Sequence, residues 1–131
     1  MLSKGLRDEE KEKISELFNS MLDLEFLPDL WKNEQREKVN LRLKKILDIT
    51  LDDVENSSIE ALLAKLKSAD FSFAHYEQFG DLLLKSIPFE AEDRQFQLTK
   101  KAVAVYETAQ QVCKIFSFGL IQKINEAKAL L

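Results

Sequence analysis

Apolar residues recur at steps of three and four along almost the whole chain, the period of a helix with one buried face. Ile14, Leu17, Phe18, Met21 and Leu22 fall on one such face and predict a first helix over about 8–25. Asp8 is placed to cap it, with Glu9 and Glu10 at the positive end of its dipole. Phe26-Leu27-Pro28-Asp29-Leu30-Trp31 then interrupts, because Pro28 disfavours helical geometry at Leu27. A second helix over about 33–47 turns Val39, Leu43, Ile46 and Leu47 inward, and Leu41 stands off that stripe, where it can touch a neighbour. Residues 48–58 read as a polar connection in which Thr50 with Asp53, and Ser57 with Glu60, have capping-box spacing. A third helix over about 58–68 carries Ile59, Leu62, Leu63 and Leu66. A fourth over about 72–87 carries Phe73, Tyr76, Phe79, Leu83 and Ile87, and Pro88 ends it.

The last segment, about 91–130, holds no proline and keeps helical period throughout, with two apolar stripes. Phe96, Val103, Tyr106, Cys113, Leu120, Ile124 and Leu131 form one; Leu98, Ala102, Val105, Ala109, Val112 and Phe116 form the other. A helix apolar over so wide an arc is expected at the centre of a fold. One unbroken helix there would be about 60 Å long. A domain of this size is only about 35 Å across, so the segment must break or project. Ser117-Phe118-Gly119 is the expected break.

The fold class expected is therefore all-α. It is a bundle of four to five helices, mainly antiparallel, with a long C-terminal helix (about 91–130) at its centre, built as a single domain over 1–131. Leu17, Phe18, Leu43, Leu63, Phe79, Leu83, Val103, Tyr106 and Cys113 are expected in its core.

Composition supports a folded chain, since 131 residues with 45% hydrophobic and 32% charged side chains can build a core without disulfides or metals. The net charge of −4 argues against a nucleic-acid binder as the main reading. One local exception is the run Lys32, Arg36, Lys38, Arg42, Lys44 and Lys45 against Glu34 and Glu37, which reads as a solvated helix face in preference to a phosphate-binding stripe. Only Trp31 lies near enough to stack a base. No apolar signal-peptide core or stretch of membrane-spanning length is present, and the lone Cys113 gives no sign of an oxidising compartment. A cytoplasmic location and no membrane association are the expectation.

Catalytic chemistry finds little to stand on. His75 is the only histidine and Cys113 the only thiol, and no motif around either activates a nucleophile. No paired-cysteine or His-Glu-x-x-His spacing calls for zinc. Asp48, Thr50, Asp52 and Asp53 echo the start of a calcium loop, but Asp53 stands where its glycine belongs and Ile59 where its glutamate belongs. Gly5, Gly80 and Gly119 are too scattered for a phosphate loop, and Gly80 inside the fourth helix is expected to let another helix approach closely. No catalytic residue, metal ligand or cofactor is expected.

Phe79-Gly80 followed by Leu82-Leu83-Leu84, and later Lys101-Ala102-Val103-Ala104-Val105-Tyr106, resembles the two helices of a tetratricopeptide repeat. The resemblance covers about 75–110. The stretch between Gly80 and Ala102 is roughly ten residues longer than that repeat has, and no second copy follows. What the resemblance implies is a helical-hairpin scaffold, with no binding residues to carry over.

The leading functional expectation is a non-enzymatic helical interaction module that self-associates, as a homo-oligomer, or binds a helical partner protein. Trp31, Phe118, Leu120, Ile121, Ile124 and Leu131 are the candidate partner-binding residues, the last four because a projecting C-terminal helix would expose them as a stripe. The alternative is a ligand-binding or enzymatic bundle whose pocket is lined by some of the nine phenylalanines, with Tyr76, Tyr106 and His75 as polar handles. Phe71, Phe89 and Phe118, at element ends, are the aromatics expected to be most exposed.

Overall fold

The structure, a computed structural model, describes residues 2–113 and 117–131. It is all-helical, with no strand among the described residues. The elements in chain order are α1 (Leu2–Leu22), a single turn α2 (Pro28–Leu30), a π-helical segment (Trp31–Gln35), α3 (Arg36–Leu47), α4 (Leu51–Asn56), α5 (Ile59–Ser68), α6 (Phe73–Ser86), a 3₁₀ turn (Ile87–Phe89), α7 (Glu92–Val112) and α8 (Phe118–Lys128). No described helix is long and apolar enough to cross a membrane.

Helix ends follow local chemistry. The Thr50–Asp53 capping box forms: Asp53 Oδ2 accepts from the Thr50 amide at 2.9 Å and Thr50 Oγ1 accepts from the Asp53 amide at 3.4 Å. The box opens α4, a helix of six residues where the apolar period predicts only a connection. The next cap lies one residue beyond its expected place, with Ser58 Oγ accepting from the Ala61 amide at 3.1 Å. The helix start expected at Asp8 lies further back, because α1 is already helical at Leu2. At the other end of α1, Lys85 of α6 donates its ammonium to the carbonyls of Met21 and Leu22 in the last turn and of Leu24 just beyond it. Its charge also lies 4.5 Å from the centre of the Phe26 ring.

The long C-terminal helix over about 91–130 needs correction, since it is two helices. Cys113 (ψ 116°) and Ser117 (ψ 110°) are both extended, so α7 ends at Val112 and α8 starts afresh with Ser117 Oγ accepting from the Leu120 amide at 3.2 Å. Folding α8 back buries Leu120, Ile124 and Ala127, apolar surface that a projecting helix would leave in water. Lys123 of α8 reaches Glu77 and Asp81 of α6, each at 3.0 Å. Of the expected break Ser117-Phe118-Gly119, Ser117 is the extended N-cap while Phe118 and Gly119 sit in the first turn of α8, and Phe116 of the second apolar stripe lies outside the described residues.

One hydrophobic cluster runs through the molecule. α7 packs on α4, α5, α6 and α8, and α1 packs on α6 and α3. Phe18, Phe71 and Phe79 meet with ring centres 5.9–6.4 Å apart. α6 and α7 meet closely because Gly80 has no side chain: a Cβ there would stand 2.4 Å from the Tyr106 ring. Of the expected core, Phe18, Leu43, Phe79, Leu83, Val103 and Tyr106 are buried, while Leu17, Leu63 and Cys113 are half-buried. Phe96 departs from its inward stripe and is exposed.

Candidate functional site

Two helices that pack side by side bring together residues that are far apart in sequence. α1 presents Lys13, Glu16, Leu17 and Ser20, with Leu24 just beyond its end, at steps of three and four. α3 presents Lys38, Leu41, Arg42 and Lys45 at i, i+3, i+4 and i+7. These two faces line one open groove of about 750 Å³. Its floor is apolar: Leu17 and Leu24 are half-buried, and Leu41 is 59% exposed. Its rim is basic. Lys38 pairs with Glu34 at 3.2 Å in the preceding π-helical segment, whereas Lys13, Arg42 and Lys45 pair with no carboxylate among the described residues.

The basic run of the second predicted helix is thereby divided among three tasks. Lys38, Arg42 and Lys45 face the groove. Lys44 is exposed outside it. Arg36 turns inward to an ionic cluster, donating to Glu90 at 2.7 Å and to Asp52 at 2.9 Å. Arg94 reaches Asp52 at 3.3 Å and Glu55 at 3.6 Å. Glu55 is buried, and its Oε1 lies 3.7 Å from Arg36, within ion-pairing range but beyond hydrogen-bond distance. Burial, followed by the neighbouring Glu90 carboxylate, pushes Glu55 up to about 7 against the pull of Arg36 and Arg94. Buried Lys101, which donates to the Glu55 carbonyl at 3.2 Å, is pushed down by burial.

Trp31 does not serve as an exposed anchor. It is 2% exposed and packs on Phe26 and Phe89 with ring centres 4.7 and 5.8 Å away. Gln35 locks this connector, its Oε1 accepting from the Leu27 amide at 2.9 Å and its Nε2 donating to the Glu25 carbonyl at 2.8 Å. Trp31, Phe89, Lys32, Arg36, Glu90 and Arg94 border a second cleft of about 650 Å³. Arg36 and Glu90 in that cleft are bonded to each other and Arg94 is paired with Asp52 and Glu55 behind it, whereas Lys32 and Asp93 make no ion pair among the described residues and Trp31 Nε1 is buried without a hydrogen-bond partner.

The C-terminal stripe is also redistributed. Leu120 and Ile124 are buried against the molecule's own core and Ile121 is half-buried. Phe118 is 81% exposed, and Leu130 and Leu131 are exposed at the end of the chain. Phe71 is buried and Phe89 half-buried, so of the aromatics at element ends only Phe118 stands out to solvent.

Two of the three polar handles expected of an internal pocket, Tyr106 and His75, are spent on the fold, and Tyr76 is buried in the core. The Tyr106 hydroxyl donates to Asp81 Oδ1 at 2.6 Å. His75 is buried, with Nδ1 accepting from the Ser72 amide at 3.2 Å and Nε2 placed 3.0 Å from the Lys11 carbonyl. That pattern requires the neutral tautomer with its proton on Nε2, and burial lowers the imidazole below its ordinary range in agreement. No family model matches the chain, and neither does any curated protein or solved structure.

Proposed function

We propose that the chain is a non-enzymatic helical interaction module whose working surface is the α1–α3 groove, where a helix of a partner protein docks. The observation that carries this reading is the pairing of two helical faces around an apolar floor that includes the exposed Leu41. A helix laid into such a groove buries its own apolar stripe against leucines, the usual mode of helix recognition between proteins. The arrangement suits a bundle of five longer helices, α1, α3, α6, α7 and α8, mainly antiparallel, with α7 central and a vacant position beside α1 and α3. The non-enzymatic reading is supported by His75, both of whose ring nitrogens are held by backbone groups.

The test is amide-shift mapping of the labelled protein with a leucine-faced helical peptide whose polar face is glutamine. Saturable shifts concentrated at residues 13–24 and 38–45 are expected. Shifts confined to 118–131, or no saturable shifts at all, would overturn this choice of surface.

A further inference from the structure

Charge selects the partner. The groove's four cations and one carboxylate give it +3 within a chain total of −4, so everything outside it carries −7. A basic groove on an otherwise acidic molecule is a directional field, since exposed charges act over about 10 Å at ordinary salt. The cations do not form a patch of their own. On α3 Lys38, Arg42 and Lys45 bracket the single leucine Leu41, and on α1 Lys13 lies one turn before Leu17, so charge and apolar surface are offered together along the groove.

We propose that the groove takes an acidic amphipathic helix of a partner protein, with leucine-like side chains on Leu17, Leu24 and Leu41 and carboxylates reaching Lys13, Arg42 and Lys45. This inference rests on the docking reading above and adds the chemistry of the partner. The apolar floor favours such a helix over a nucleic-acid backbone, which has no apolar face to lay on three leucines and finds no aromatic among the groove's lining residues on which to stack a base. A second copy docking groove to groove is also disfavoured by charge, because the two basic rims would then face each other.

The experiment titrates three peptides of one leucine-faced helical scaffold, with glutamate, glutamine or lysine on the polar face, into the full chain and follows fluorescence anisotropy. The glutamate-faced peptide is expected to bind about tenfold more tightly than the glutamine-faced one, with the gap closing as salt rises. Charge reversal at two rim positions, Arg42→Glu with Lys45→Glu, is expected to shift the preference to the lysine-faced peptide. Neither side chain has an ion-pair partner among the described residues, so the variant loses no such contact. Lys44→Glu, on the same helix outside the groove, is expected to leave the order of affinities unchanged.

Equal binding of the glutamate and glutamine peptides would overturn the charge inference and leave the docking groove standing. Failure of all three to bind would overturn both. Tighter binding of phosphatidylserine vesicles or duplex RNA than of the glutamate peptide, lost in the double variant, would assign the groove to a lipid or nucleic-acid surface and overturn the protein partner.

Discussion

Gly80 is a residue whose role follows from what its missing side chain makes room for. The Tyr106 ring occupies that space, and its hydroxyl then reaches Asp81, which also receives Lys123 from α8. Three helices thus converge on one carboxylate beside one glycine. Gly80→Ala gains about 1 kcal/mol of helix propensity but drives a methyl into a fully buried ring. Overpacking of that kind costs about 1–3 kcal/mol, so the net expectation is a loss of up to about 2 kcal/mol in urea unfolding. The close approach was readable in the sequence, because a glycine inside a periodic helix needs a packing reason. That Tyr106 is the residue in contact was not, because periodicity assigns a residue to a face without saying what meets it.

Glu55 supplies a pH signature of the ionic cluster. Its folded carboxyl titrates near 7, above its ordinary value of 4.5, so between those values the folded state holds more protons than the unfolded state. This group therefore favours the fold fully below about 4.5 and withdraws that support as pH rises through 7. Glu90, Arg36, Arg94, Asp52 and Lys101 are the charged groups that face it. Glu55→Gln is expected to be more stable than the parent at pH 8, with the difference shrinking toward pH 5 in thermal melts. A difference independent of pH would contradict a carboxyl raised by burial and by Glu90 against the pull of Arg36 and Arg94.

Among the elements, strong apolar period was sufficient to find α1, α3, α5, α6 and α7. Period gave no warning of α4, whose six residues are too few to show one, although its capping box was legible as a local hydrogen-bonding pattern. The caps carry a discriminating test. Ser58→Ala is expected to cost about 1 kcal/mol, because Ser58 Oγ caps α5. Ser57→Ala is expected to cost less, since its hydroxyl donates only to the Val54 carbonyl at 3.3 Å. Equal losses in matched chemical melts would place the start of α5 differently. The C-terminal break was legible as a length problem, since a 60 Å helix cannot fit the domain. Its position was legible to within a few residues: Ser117 of the expected Ser117-Phe118-Gly119 break is the extended N-cap of α8, while Phe118 and Gly119 lie inside the new helix.

For the molecule as a whole, the groove was present in the sequence as two unconnected signs: Leu41 off the inward stripe and a basic run along the same helix. What joins them is the packing of α1 against α3, a non-local contact that no periodicity reports. The C-terminal stripe is divided for the complementary reason. Its apolar residues are real, but α8 folds back and spends Leu120 and Ile124 on the molecule's own core. Exposed apolar surface is informative only once the fold has taken what it needs. Arg36 likewise belongs to the basic run by sequence and to an internal ionic cluster by structure, which leaves the groove with fewer cations, all of them on one face.

The central claim is most directly tested at Leu41, which is 59% exposed and lies on the groove floor. Calorimetric titration of the glutamate-faced helical peptide into Leu41→Asp should show at least about tenfold weaker binding than the parent, since a carboxylate then lies on the apolar track and repels the peptide's own. The melting temperature should stay close to that of the parent. An unchanged affinity in a folded Leu41→Asp protein would contradict docking in the α1–α3 groove.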